Sequence, residues 1–204
     1  MVKKQIKDSI NLLFTPLRLI LSHKFANRVG LDSIRDDRVN MALRYVRGRL
    51  LDIGCGINLL VKRYGDCNSV GIDVHDFGGG AEIVENVANL PFADKSFDTV
   101  SFVASFNHIP NRDRAIREID RVLKDNGIII ITMIGPSIGK LRHMMRWIDQ
   151  EEGKRYHYLR QNGEEDGLPC DYICSLLLKF KFRLKLRKHF LFYLNCLYIF
   201  ERSG

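Results

Sequence analysis

The sequence lacks any paired arrangement of its cysteines. The five stand at positions 55, 67, 170, 174 and 196, an odd set without CxxC spacing, which argues against a disulfide framework and a structural zinc site. They are expected to be small buried hydrophobes in a reducing compartment, with Cys170 and Cys174 sharing a helix face. A long apolar run is also missing. Arg18 interrupts the only candidate well before the ~20 apolar residues that a membrane-spanning helix requires. The start does not read as a secretory leader, because Lys7, Asp8, Pro16 and Arg18 break its apolar core and no small-residue cleavage site follows. The expected location is the cytoplasm. No internal repeat, no low-complexity tract and no G-x-x-x-x-G-K-[ST] phosphate loop is present.

What is there suits one domain with an added arm: 204 residues, 46% of them apolar and 27% charged. The net charge of +8 is compatible with an anionic partner, either nucleic acid or a membrane surface, and equally with a basic surface that only keeps the protein soluble.

Residues 1–30 read as a basic amphipathic helical arm. Ile6, Ile10, Leu13, Phe14, Leu17, Ile20 and Leu21 fall on one stripe at 100° per residue. Lys3, Lys4, Lys7, Arg18, Lys24 and Arg28 surround it. Pro16 is expected to begin a second helix with Thr15 as its cap. Such an arm lies either in a membrane interface, as peripheral contact through residues 1–28, or against its own domain.

Residues 31–204 form the domain proper, with 135–168 as a variable segment lacking a clean period. Strands are expected at 50–53, 69–73, 81–84, 97–103 and 128–133. The third is reached through Gly78, Gly79 and Gly80 with little room for a helix. Helices are expected from Asn58 to Tyr64 and after Asn111, which is read as a cap. The second has Ala115, Ile116, Ile119, Val122 and Leu123 on its inner face, and Gly127 as a left-handed stop. A helix at 171–180 then precedes strands at 183–190 and 194–201. In KFKFRLKLRK, Phe180, Phe182, Leu184 and Leu186 alternate with basic residues, as on a half-buried edge strand. The order implies an open α/β sheet, covered by helices on both faces.

Ligands of such sheets sit beyond the carboxyl ends of the strands, where strand order reverses. The first strand ends there in LLDIGCGIN. Gly54 and Gly56 remove side chains so that backbone amides can approach a ligand, and Asp73 closes the second strand with a carboxylate suited to ribose hydroxyls. A dinucleotide fingerprint would need a third glycine, but position 59 is Leu. Asn58 tolerates a left-handed backbone and caps helices well. It is expected to keep the turn, start the helix and offer its amide near a ligand carboxylate.

Over residues 49–133, LLDIGCG, VGID and NVANLPFADKSFDTVSFVASFNHIPNRDRAIREIDRVLKDNGIIIITM resemble class I S-adenosylmethionine-dependent methyltransferases. The likeness is nearest to the small-molecule branch that includes quinone-biosynthesis enzymes. It implies a doubly wound, mostly parallel, seven-stranded Rossmann-like sheet with a C-terminal antiparallel hairpin, and S-adenosyl-L-methionine as cofactor. By resemblance, Asp52 with Gly54, Cys55 and Gly56 holds the methionine part. Asp73 binds the ribose with Val74 beside the adenine; Asn86 and Val87 flank the base, and Ala104 lies near the sulfonium. Relatives often carry Asp where Asn86 stands.

Methyl transfer by in-line displacement asks for alignment and dryness, and for a general base only if the acceptor must lose a proton. His108 is the best-placed base or orienting group, and His143, Trp147, Tyr156 and His157 are candidates to line an acceptor pocket. The expected acceptor is a small or lipid-linked molecule. An RNA methyltransferase is the rival reading, but ASFNHIP replaces the [DN]PP[FY] of many amino-group methylases and no OB or KH pattern appears. A non-catalytic, cofactor-binding partner subunit is the third.

Overall fold

The computed structural model describes residues 9–11, 13–15, 18, 28–135 and 167–203. Its elements are α1 (Ile34–Leu43), β1 (Leu50–Ile53), α2 (Leu59–Tyr64), β2 (Val70–Asp73), β3 (Glu82–Ile83), β4 (Phe97–Val103), a 3₁₀ turn (Phe106–His108), α3 (Arg112–Val122), β5 (Leu123–Ile134), α4 (Cys170–Leu178), β6 (Phe182–Phe190) and β7 (Asn195–Arg202). They build one seven-stranded sheet in the order β3-β2-β1-β4-β5-β7-β6. β1 to β5 run parallel, and β7 is antiparallel to both β5 and β6. The expected fold class and all seven strands are therefore found.

Apolar side chains leave β5 on both faces, as its run of isoleucines predicts. Ile129, Ile131 and Met133 join a core with Ile116, Ile119, Ile173 and Leu177 of α3 and α4. Ile128 and Ile130 join a second core with Val39, Ala42 and Leu60 of α1 and α2. Fully burying one such side chain stabilises the fold by roughly 1.5–3 kcal/mol. α1 starts with a capping box: Ser33 accepts from the Asp36 amide, and the Asp36 carboxylate accepts from the Ser33 amide.

Four local expectations are corrected. Asn58 and Asn111 precede their helices in left-handed conformations, with φ of 57° and 48°, and neither side chain caps; a capping side chain needs extended backbone at that position. Gly127 does not have positive φ. α3 instead ends because Leu123 turns extended and pairs with Phe97 of β4. Gly127 is needed for space, since a Cβ there would stand 2.6 Å from the Leu123 side chain. Thr15 is itself helical, and its hydroxyl donates back to the Asn11 carbonyl at 3.1 Å. Finally, Cys196 is buried, whereas Cys55, Cys170 and Cys174 are partly exposed and Cys67 is open to solvent. Cys170 and Cys174 do share a face, with their sulfurs 3.8 Å apart.

β6 is an edge strand that is less regular than its alternation suggests. A register shift between Leu184 and Leu186 flips the pattern, so Phe182 enters one core and Leu186 packs against the other. A bulge and basic side chains together protect an open edge from pairing with another chain.

The described residues of the arm dock through polar side chains. Asn11, Thr15 and Arg18 are buried. Arg18 donates to the carbonyls of Asp32 (2.6 Å) and Asn11 (2.7 Å) and pairs with the Asp37 carboxylate. Asn11 donates to Asp32 at 2.7 Å and accepts its amide at 2.9 Å. Ile10, Leu13 and Phe14 of the apolar stripe face solvent.

No helix joins β2 to β3, as expected. The glycine loop takes its place by packing backbone to backbone: a Cβ on Gly79 would come within 2.3 Å of the Ile57 carbonyl carbon. Gly79→Ala should therefore lower stability by about 1–3 kcal/mol in urea unfolding. An unchanged midpoint would mean that the loop yields without cost.

Candidate functional site

Strand order reverses between β1 and β4, and the carboxyl ends of β1, β2 and β4 meet there. Gly54 and Gly56 have φ of +70° and +57°, a region that residues with a Cβ enter at a cost. Each glycine has its own reason. At Gly54 a Cβ would lie 2.5 Å from Ser105 Cβ, so the loop is pressed onto the residue that follows Ala104. At Gly56 a Cβ would meet nothing within 4 Å, which is the open side where a ligand can approach the backbone.

Two carboxylates frame this turn. Asp73 accepts from the Gly56 amide at 2.8 Å through one oxygen, and from the Val74 amide at 2.8 Å through the other. Its Oδ1 also accepts from the His75 amide at 3.4 Å, so Asp73 fixes the loop and the Oδ2 that holds Gly56 keeps a lone pair for a ligand hydroxyl. Asp52 is 2% exposed and accepts from the Ser101 hydroxyl at 2.6 Å. Burial pushes its carboxyl up to about 7; Ser101 opposes the rise and the Asp73 charge adds to it. Burial also raises the Cys55 thiol, helped by the Asp52 and Asp73 charges, so Cys55 is not a nucleophile here.

Three positions missed in the sequence complete the frame. Ser105 donates to the Ile53 carbonyl at 2.5 Å, binding the β4 exit to the β1 exit. Thr132 accepts the Ala104 amide at 3.0 Å on its hydroxyl and at 3.1 Å on its carbonyl, which holds Ala104 at φ 57°. Such backbone strain in a non-glycine residue is often kept at functional sites. Ser101 and Thr132 were visible only as polar residues inside apolar strands.

Of the other expected site residues, Val74 is exposed at the cleft edge. Asn86 is exposed, and its side-chain oxygen accepts the Ala88 amide at 2.8 Å in an Asx turn. Val87 is packed in the core, which leaves its backbone rather than its side chain for a ligand. Asn58 does not reach towards a ligand carboxylate. Its left-handed backbone drops the side chain against Gly71, where a Cβ would come within 2.1 Å of its oxygen, and the amide donates to the Gly80 carbonyl at 3.2 Å. It latches the glycine loop. His108 ends the 3₁₀ turn just past Ala104. Arg112 holds this turn by donating to the carbonyls of Phe106 (3.3 Å) and Asn107 (3.0 Å). His143, Trp147, Tyr156 and His157 lie outside the described residues.

A buried carboxylate poised near neutrality, a second carboxylate beside it and an open backbone cradle suit a ligand with both cationic groups and ribose hydroxyls. S-adenosylmethionine carries an ammonium, a sulfonium and a ribose, so the residues present fit it.

Residues 51–131 match the family described as a methyltransferase domain. That stretch is thus similar to methyltransferase domains, a class whose cofactor is S-adenosylmethionine. Among particular relatives, an uncharacterized protein of Methanocaldococcus jannaschii is 41% identical over 93 residues, covering 41% of this chain and 36% of its own length. The ubiquinone/menaquinone biosynthesis C-methyltransferase of Hahella chejuensis is 38% identical over 58 residues, covering 28% of this chain and 23% of its own. The match thus spans well under two thirds of either relative. An S-adenosylmethionine-dependent methyltransferase of Thermotoga maritima superposes with a TM-score of 0.61 at 16% identity, over 83% of this chain and 89% of its own; this likeness is one of fold.

The Asp52 shift has a measurable sign. The folded chain keeps this proton up to about pH 7, while the unfolded chain releases it near 3.8. The cofactor-free protein therefore loses stability through this group as pH rises between those values, and the loss levels off above them. Thermal unfolding across that range should show the slope in the natural protein and a shallower one in Asp52→Asn. Parallel curves would contradict the assignment.

Proposed function

We propose that the protein transfers a methyl group from S-adenosylmethionine to a small or lipid-linked acceptor by in-line displacement. The observation that carries this reading is the Asp52–Asp73 pair around an open glycine turn at the carboxyl ends of β1 and β2. When bound, the cofactor supplies a methyl carbon already activated by its sulfonium. Asp73 then accepts the ribose hydroxyls while still holding the Gly56 amide. Asp52, ionised as cationic charge arrives, anchors the methionine part with the Gly54–Gly56 backbone. Val74, Asn86 and the Val87 backbone would bound the adenine side, and Ala104 would lie on the side of the transferring methyl.

Positive charge disperses in the transition state, so alignment and exclusion of water do most of the work. His108 orients the acceptor or takes its proton, the latter only if the acceptor carries one on the attacked atom. A quinone-like acceptor is suggested by the Hahella relative and a lipid-linked one by the exposed apolar face of the arm, with the protein working from the cytoplasm against a membrane. Among the described residues no helix is long and apolar enough to cross a membrane.

Tritiated methyl transfer into fractionated cell extract, with lipid, small-molecule and RNA pools counted separately, tests the acceptor class. Label in the lipid or small-molecule pool is expected. Label confined to RNA would transfer the reading to nucleic acid, and cofactor binding without transfer to any pool would favour a non-catalytic partner subunit. By calorimetry, Asp73→Ala should weaken S-adenosylmethionine binding by about 1–3 kcal/mol through loss of charge-assisted hydrogen bonds. Unchanged affinity would show that the ribose is held elsewhere.

A further inference from the structure

Two separate elements expose apolar side chains at one end of the sheet. On the arm, Leu13 is 74% and Phe14 42% exposed, with Ile10 open beside them. At the β6–β7 turn, Phe192 is 59% and Tyr193 78% exposed. Scattered surface hydrophobics need no explanation, but these are neither scattered nor free to turn inwards.

Neither set can be buried by a local rotation. The arm is pinned by the opposite choice of face: Asn11, Thr15 and Arg18 are buried against Asp32, Ser33 and Asp37. The helical bonds Phe14 N–H to Ile10 C=O and Arg18 N–H to Phe14 C=O, both 3.0 Å, keep the apolar residues in phase with the anchored ones. Rolling Leu13 and Phe14 inwards would strand the Arg18 guanidinium, whose removal from a buried ion pair is costly. At the turn, Leu191, Phe192 and Tyr193 have φ of 52°, 52° and 64°. Three successive non-glycine residues hold a left-handed backbone there, each at a cost of ~1–3 kcal/mol, and two of them present aromatic rings to solvent.

The two elements lie at the same end. Asn195, just after the turn, pairs with Ile134 at the carboxyl end of β5. The Arg38 guanidinium of α1 donates to the Asn195 side chain at 2.7 Å, five residues along from the Ser33 whose carbonyl receives Arg18. The cofactor loop opens at this same carboxyl edge. Basic groups accompany the apolar ones: Arg28 beside the arm and Lys188 near the turn are exposed, and the chain as a whole carries +8.

We propose that Ile10, Leu13 and Phe14 of the arm, together with Phe192 and Tyr193 of the β6–β7 turn, form a docking face for the surface of an anionic lipid bilayer. Apolar side chains enter the headgroup boundary while basic ones stay in the charged layer, as in interfacial amphipathic helices. Aromatic rings suit that boundary. The face brings the cofactor edge of the sheet to the bilayer. That consequence rests on the methyl-transfer reading and would give a lipid-linked acceptor a route to the site; the docking itself does not rest on it.

Flotation of the full chain tests the proposal, using vesicles of mixed phosphatidylcholine and phosphatidylglycerol and vesicles of phosphatidylcholine alone. The natural protein should float with the anionic vesicles and much less with the neutral ones. The pairs Leu13→Ser with Phe14→Ser, and Phe192→Ser with Tyr193→Ser, should each lower the bound-to-free ratio by about tenfold or more. Both should keep S-adenosylmethionine affinity, and Leu13→Ser alone, at the most exposed arm position, should keep the natural unfolding midpoint and still lower flotation. Failure of the natural protein to float, or equal flotation of both variants, would overturn the proposal. A concentration-dependent dimer that these substitutions dissolve would overturn it in favour of a second copy of the chain. Loss of cofactor binding with flotation intact would instead strike only the methyl-transfer reading.

Discussion

A carboxylate held out of water near the end of an inner strand is the constraint around which this domain is organised. Asp52 reaches a position that is 2% exposed because β1 runs between β2 and β4. The Ser101 hydroxyl and the Asp73 charge are its near neighbours there. Leaving a buried charge without an opposite one is expensive, and the group responds by holding its proton to higher pH. A cationic ligand removes that cost. The same feature that weakens the empty domain above neutral pH would therefore favour a cationic ligand, whose binding would return stability to the fold.

The second carboxylate shows how little material such a site needs. Asp73 holds the Gly56 amide and its own following amides, so the glycine turn is shaped before a ligand arrives. Ser105 and Thr132 bind the exits of β1, β4 and β5 to one another. The cradle is preorganised by short polar side chains on rigid strands, which is why the nearly absent connection between β2 and β3 does not dismantle it. Gly79 against Ile57 and Asn58 against Gly71 fill the place of the missing helix by direct contact.

Strands and the inner faces of helices were legible because periodicity reports burial. All seven strands and the buried stripe of α3 lie where the apolar pattern puts them. Asp52, Asp73 and the glycine pair were legible because strand ends in an open sheet converge. Asn58, Asn111 and Gly127 were misread in detail because one residue type serves several backbone roles, and only tertiary contact selects among them. Ser101 and Thr132 gave no signal, since a lone hydroxyl in a strand points to nothing until its partner across the sheet is known. The placement of the arm was left open between a membrane interface and its own domain. A helical stripe of apolar residues predicts which side chains share a face, but not which face the protein keeps; a single buried arginine decided that. Residues 136–166, on which the acceptor-pocket candidates fall, lie outside what the structure describes.

The glycine turn between Asp52 and Asp73 is the place proposed for S-adenosylmethionine. Backbone hydrogen exchange with and without the cofactor tests it most directly, because it reports location as well as binding. Slowed exchange is expected at residues 54–58 and 73–75 together, with little change in β6. Binding that protects neither segment, or no protection anywhere at saturating cofactor, would contradict it.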